Sequence, residues 1–375
     1  MDTLTYEVDI RRIMLILGNM ISPEGAEGAP ALFIGPPGGG KTTNVKEYAR
    51  RYLDGNVRVF GAPRFVSSDL GIPDLRNATD HYKFIPPEGV HDLVKQPRGM
   101  LFIDELSRAR SGDVLGAFLS LILEHETEAI KAKHLHIWAA MNPSDMVGGI
   151  KIDIASGNRF VWCPWPEITN ERWIEFSLQR DAFTGIASDP WPTVDPDWRA
   201  KWPEVIKAAT LTVAAFLRHA PDMFRSPVPK VAQAYANERS WSLAVSVLAS
   251  CMLHGASADE RRYLMTGCVG AGAGLAFVQY LSDAGIPDPV DVVAGRAKLA
   301  DLDAYRAWAA AASAIDYLKV NAGVDRKAFV TNMVGMFGSY PEVVCPLAAR
   351  VIESGLSGPE WQSLFQKCLA LRDMK

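Results

Sequence analysis

Gly35-Pro36-Pro37-Gly38-Gly39-Gly40-Lys41-Thr42 fits the pattern G-x-x-x-x-G-K-[ST], and the residues around it supply the context that pattern needs. An apolar run, Ala31-Leu32-Phe33-Ile34, precedes it, and a helix-compatible segment, Thr43 to Tyr52, follows. A glycine-rich turn from a strand into a helix N-terminus lets backbone N–H groups converge on phosphates. The glycines permit close backbone approach, Lys41 would reach the β- and γ-phosphates, and the Thr42 hydroxyl would ligate magnesium. Gly35 through Thr42, with Thr43 next in line, are therefore the candidate nucleotide contacts; the competing reading is a flexible glycine turn.

Working outward, Met100-Leu101-Phe102-Ile103-Asp104-Glu105 is an apolar strand ending in two carboxylates. At a strand's carboxyl end Asp104 can bind Mg2+ through water and Glu105 can polarise an attacking water, although two such acids can also be a solvated cap. Their position about sixty residues beyond the phosphate loop favours the first reading. Phosphoryl transfer depends on positioning and charge stabilisation around a metal nucleotide, so each motif needs the other. Trp138-Ala139-Ala140-Met141-Asn142-Pro143 is a third strand tip. In a strand lying between the first two, Asn142 would point at the γ-phosphate; Asn-Pro is also simply a good turn.

The wider pattern agrees. Val57–Phe60, Leu135–Ala140 and Phe160–Trp162 join the two apolar runs already named, making five candidate strands among helix-length segments. That order predicts an α/β fold with a parallel five-stranded sheet flanked by helices. An amphipathic helix around Val8–Leu17 leads in, and a Gly/Pro/Ser-rich connection runs from Ser22 to Pro30. After Pro166 strand-like runs stop, and Ala/Leu/Val-rich helical periodicity predicts an all-helical second half. A Pro/Trp-rich segment, Asp189 to Pro203, reads as the linker, so residues 1–190 are expected to form the nucleotide-binding core and 191–375 a helical lid with a C-terminal helical extension. Gly270-Ala271-Gly272-Ala273-Gly274 follows no strand, and close helix packing explains it better than a dinucleotide loop.

Composition narrows the functional classes. A net charge of −4 with 22% charged residues gives no basic excess, so nucleic acid is not indicated as an obligatory partner. The five cysteines, Cys163, Cys251, Cys268, Cys345 and Cys368, have no C-x-x-C spacing and read as buried thiols rather than a disulfide framework or zinc site. The acidic opening Met1–Glu7 lacks the basic and apolar regions of a secretory signal, so a cytoplasmic location is expected. Leu264–Leu281 is uncharged but holds four glycines, a threonine and a glutamine, which argues against membrane insertion.

In the order and context of these motifs the chain resembles the AAA+ ATPases, specifically their MoxR-like and dynein-related branch. Gly35–Thr42 looks like Walker A, Leu101–Ala109 is similar to that branch's Walker B and its tail, and Asn142 matches sensor 1. Ser68-Asp69-Leu70-Gly71-Ile72-Pro73 resembles a segment found before the insert in the second helix. The resemblance implies ATP and Mg2+ as cofactors, a homo-oligomeric ring such as a hexamer, and an arginine finger, for which Arg159 in Ala155–Phe160 stands despite Asn158 where an acid is commoner. It implies that Arg239, in Asn237-Glu238-Arg239-Ser240-Trp241, acts as a sensor 2 arginine touching nucleotide from the lid. Each arginine could instead be an ordinary surface residue. The resemblance further implies a client protein, gripped by a pore-facing loop between Asp74 and Gly89 that carries Arg76, His81, Tyr82, Lys83 and Phe84, and a von Willebrand factor A partner. Glu124–Lys133 would be a second ring-facing hairpin. A nucleic-acid motor of restriction type and an ATP-binding scaffold without turnover are the alternatives.

Overall fold

The computed structural model describes residues 8–66, 71–76, 82–143, 152–167, 169–179, 191–283, 285–287, 289–302, 304–320, 323–356 and 358–372. Ser68, Asp69, Leu70 and His81, singled out above, lie outside the described residues. The chain divides into two compact units, residues 1–206 with 222–278, and residues 207–221 with 279–375.

The first unit opens with α1 (Ile10–Gly18) and β1 (Ala31–Ile34), then α2 (Lys41–Tyr52), β2 (Val57–Gly61), β3 (Ile72–Asp74), β4 (Lys83–Ile85), α3 (Glu88–Val94) and β5 (Met100–Asp104). It continues through α4 (Gly112–Glu124), β6 (His136–Met141), α5 (Ile154–Gly157), β7 (Val161–Pro164) and α6 (Asn170–Gln179). Helices α7 (Trp198–His219), α8 (Glu238–Leu253), α9 (Ala258–Val269) and α10 (Ala271–Asp283) follow. Five strands form a parallel sheet in the order β2-β5-β6-β1-β7, with β3 and β4 a separate antiparallel pair. This is the α/β architecture expected from the sequence, with all five strands where the apolar runs placed them.

The strands read as continuous apolar runs because both faces are covered. Met100, Leu101, Phe102 and Ile103 are fully buried, as are Ala31, Leu32 and Phe33. Register does the functional work: Ile34 pairs with Met141 on one side and Pro164 on the other, and Ile103 pairs with Ala139. The residues that follow β1, β5 and β6 therefore leave the sheet along one edge. In α2 the inward stripe Lys41, Val45, Tyr48 and Ala49 follows helical spacing, which seats the helix on the sheet.

Two histidines sit in this core, with Nδ1 of His125 at the α4 C-cap set 3.3 Å from the Ala132 carbonyl oxygen. Burial pushes the His125 imidazole down to about 4 and that of His136 in β6 to about 3. Both remain neutral in the folded chain at a pH where the unfolded chain takes up protons, so their contribution is intact above pH 6.5 and is lost as pH falls toward those values. Between pH 7 and pH 5 the pair is expected to remove about 4 kcal/mol of stability, near 2 for each group. Urea unfolding midpoints at the two pH values measure it; an unchanged midpoint would contradict the assignment.

Two glycines of the cluster, Gly270 and Gly274, serve close packing. Gly270, at φ 83°, ends α9 and divides the uncharged Leu264–Leu281 stretch into two helices. A Cβ on Gly274 would lie 2.7 Å from Thr266 Cα, and one on Gly267 would lie 2.4 Å from the Trp162 carbonyl oxygen. Gly267→Ala is accordingly expected to cost about 1–3 kcal/mol in denaturant unfolding, through forced displacement of α9 from β7. No described helix is long and apolar enough to cross a membrane.

One sequence expectation needs correcting. The prolines of Asp189–Pro203 were expected to interrupt helix throughout, yet Pro203 lies inside α7. As the sixth residue of α7 it forgoes the one intrahelical bond its own N–H would make, and the helix continues on both sides of it.

The second unit is helical: the later part of α7 and of α10, then α11 (Pro289–Val293), α12 (Ala304–Val320), α13 (Lys327–Ser339), α14 (Pro341–Glu353) and α15 (Gln362–Arg372). Small residues of α12, Ala307, Ala310, Ala311 and Ala314, let it pack closely in a core closed by Phe329, Met333 and Trp361. Trp308 and Tyr317 pack against that core, as their helical spacing implies. Cys163, Cys251 and Cys268 are buried thiols, whereas Cys345 in α14 and Cys368 in α15 are only half-buried.

Candidate nucleotide site

The phosphate loop runs from the end of β1 to the first turn of α2. Gly38 (φ 81°) and Gly40 (φ 79°) occupy left-handed conformations, which explains glycine at those two positions: any side chain would be strained there. Gly40 is also the N-cap of α2, so the first helical N–H groups open into the loop. The Gly35 N–H donates to the Met141 carbonyl at 3.3 Å, joining the start of the loop to the tip of β6.

Four of the sequence-derived side chains meet here. The Lys41 ammonium donates to the carbonyls of Gly35 and Pro36, each at 2.8 Å, and to Asn142 Oδ1 at 3.3 Å. Thr42 Oγ1 donates to Asp104 Oδ2 at 2.5 Å. Lys41 and Asn142 are both buried, and burial lowers the Lys41 pKa, offset in part by the carboxylates of Asp104 and Glu105. A cation desolvated beneath a cradle of N–H groups is a strong local attraction for an anion. Thr42 Oγ1 and Asp104 Oδ2 are hard oxygen donors held together, the set that suits Mg2+ shared with phosphate oxygens.

Glu105 stands one residue beyond Asp104 in a left-handed conformation, φ 56°, with its N–H bonded to Asp104 Oδ1 at 2.9 Å. That twist turns its carboxylate out of the strand line, half exposed, where Arg108 pairs with it at 3.2 Å. A non-glycine residue held there at a strand tip is a strained conformation of the kind that gathers at functional sites. The Arg108 partner was not evident from the sequence, since its i+3 spacing becomes a contact only in the short 3-10 turn Leu106–Arg108.

Arg159 and Arg239 do not join this group. They line one cavity of about 510 Å3 together with Glu124, Asn158, Glu238 and Ser242, and no phosphate-loop residue lines it. Arg159 lies just before β7, 3.9 Å from the Glu124 carboxylate, and its buried Nε has no hydrogen-bond partner among the described residues. The buried Asn158 Oδ1 is likewise unpartnered, while its Nδ2 donates to the Tyr235 hydroxyl at 3.3 Å. Arg239 is exposed in the first turn of α8, behind an Asn237 cap that exchanges hydrogen bonds with Ser240.

A phosphate loop between β1 and α2, with acidic and amide strand tips on β5 and β6 and the strand order given above, defines a P-loop nucleotide-binding fold of the AAA+ type. Within that class, residues 30–160 match the family model of the AAA domain, dynein-related subfamily, and support an AAA+ ATPase domain in this part of the chain. No curated protein matches the chain. Among solved structures, one of a candidate ATPase from Cytophaga hutchinsonii is similar at 15% identity, covering 69% of this chain and 74% of the other, with a TM-score of 0.38. That likeness is too loose to bear on function.

Proposed function

We propose that the chain is an ATP hydrolase of the MoxR-like branch that works in the cytoplasm as a homo-oligomeric ring, a hexamer, and remodels a client protein together with a von Willebrand factor A partner. The observation that carries the ATPase reading is the meeting of Lys41, Thr42, Asp104 and Asn142 at one edge of the sheet, as the hydrogen-bonded pairs Lys41–Asn142 and Thr42–Asp104. In this reading Lys41 exchanges its loop carbonyls for β- and γ-phosphate oxygens, and the N–H groups of Gly38 through Thr43 cradle the phosphates. Thr42 and Asp104 would hold Mg2+, and the ion would supply charge neutralisation to the phosphates. Glu105 takes the proton of an attacking water that Asn142 orients.

The ring is favoured by the arginines. A cation in the first turn of a helix faces the positive end of the helix dipole, so an external anion is its natural counterpart. Arg239 and Arg159 line one cavity without any phosphate-loop residue, and a neighbouring copy's γ-phosphate is the anion that suits both. In this reading Arg239 reaches the adjacent subunit's nucleotide, where the resemblance implies contact with nucleotide from the lid. The β3–β4 pair, with Leu75 and Tyr82 exposed, is the candidate client grip, and the hairpin bridged at Glu126 and Lys131 the second ring-facing element. Functionally, residues 1–190 act as the core and 191–375 as lid and extension. The net charge of −4 disfavours the nucleic-acid motor.

The test is turnover and assembly mass measured together with Mg2+ and either ATP or GTP. ATP hydrolysis by a defined oligomer is expected. Binding without turnover would leave the scaffold reading, and absence of binding to both nucleotides would remove the site assignment.

A further inference from the structure

Trp165 follows the tip of β7 and belongs to none of the sequence motifs. Its backbone N–H donates to the Ile34 carbonyl at 2.6 Å, carrying the β1–β7 ladder one residue past Pro164. That brings the indole under the phosphate loop, where Nε1–H donates to the Gly39 carbonyl at 2.6 Å. The ring meets Phe33 edge-on, centroids 5.5 Å apart, and is 6% exposed. A Cβ on Gly35 would lie 2.6 Å from Trp165 Cβ, so the loop passes this close to residue 165 only because residue 35 is glycine. From the other side, Tyr263 of α9 donates its hydroxyl to the Pro164 carbonyl at 2.8 Å. The backbone that carries the indole is thus fixed at the end of β7, with α9 bonded to its Pro164 carbonyl, outside the loop the indole holds.

We propose that Trp165 is a positioning residue for phosphate binding, which ties back the Gly39 carbonyl and so aims the Gly40 N–H at the phosphates. In a trans peptide the C=O and the following N–H point in opposite directions, so a carbonyl drawn toward β7 sends the next amide the other way. Glycine peptides turn over at low steric cost, and Gly38, Gly39 and Gly40 form an unbroken run with nothing of their own to select an orientation. The indole donor selects one. The inference rests on the nucleotide reading above and adds a residue that the reading does not contain.

Two variants of the full chain separate donor from ring: Trp165→Phe, and Trp165 replaced by 3-benzothienylalanine, which keeps the bicyclic shape with sulfur in place of the N–H. Calorimetry with ADP and steady-state ATP hydrolysis are measured for both. One lost donor predicts about three- to tenfold weaker ADP binding and a matching rise in KM for ATP in both variants, with kcat within about twofold. A merely structural tryptophan would lower the melting temperature and leave ADP affinity and KM unmoved, which overturns the proposal. Weakening in the phenylalanine variant alone also overturns it, because the ring and not the donor would then matter. If the wild-type chain binds no ADP, the nucleotide reading fails first and the inference goes with it.

Discussion

Glu105→Gln is expected to lower ATP turnover by about 10²- to 10⁴-fold, the range for loss of a positioned general base, while ATP affinity stays within a few-fold of wild type. The hydrogen bonds that join Lys41 to Asn142 and Thr42 to Asp104 do not involve the Glu105 side chain, so the change leaves them in place. Glutamine preserves the shape and the turn at φ 56° but cannot take a proton. It also loses the charge that Arg108 holds at 3.2 Å, so a modest adjustment of that exposed arginine accompanies the substitution. Single-turnover hydrolysis read beside equilibrium binding separates the two quantities. Turnover within threefold of wild type would remove Glu105 from the chemistry and leave it as a solvated strand cap.

The second large effect is expected at Arg159. If its guanidinium stabilises charge spreading over the γ-phosphoryl oxygens of a neighbour, Arg159→Ala lowers kcat by about 10³-fold or more. The affinity of an isolated chain for ATP should change little, because Arg159 lines a cavity without phosphate-loop residues. Removing the side chain also frees Glu124, which lies 3.9 Å away and is largely exposed, so folding should be nearly unaffected. Comparable loss of stability and of activity would point to a structural arginine.

How much of this was legible beforehand differs by element. The five strands were readable because a sheet buried on both faces demands unbroken apolar runs, and Ala31–Ile34 and Met100–Ile103 are such runs. The convergence of Lys41, Asp104 and Asn142 followed from one topological expectation, that the strand bearing Asn142 lies between the other two, and β6 does lie between β1 and β5. The companionship of Arg159 and Arg239 was hidden, since 80 residues of sequence separate them and only the packing of α8 in this unit brings them to one cavity. Trp165 was hidden for a related reason. Its contact with Gly39 depends on β7 pairing beside β1 in a register that sets Pro164 opposite Ile34. Pro203 misled because a proline near a helix start looks, in sequence, like one that ends a helix.

The measurement closest to the central claim mixes the two silent variants. Glu105→Gln keeps Arg159 and Arg159→Ala keeps Glu105, so a ring assembled from both contains sites in which one chain's Glu105 faces its neighbour's Arg159. Equal amounts mixed before ATP is added are expected to recover about a quarter of wild-type turnover, the random-mixing fraction for a head-to-tail interface. A mixture as silent as its parts, with both chains binding ATP and co-assembling, would contradict a site completed by a second copy of the chain.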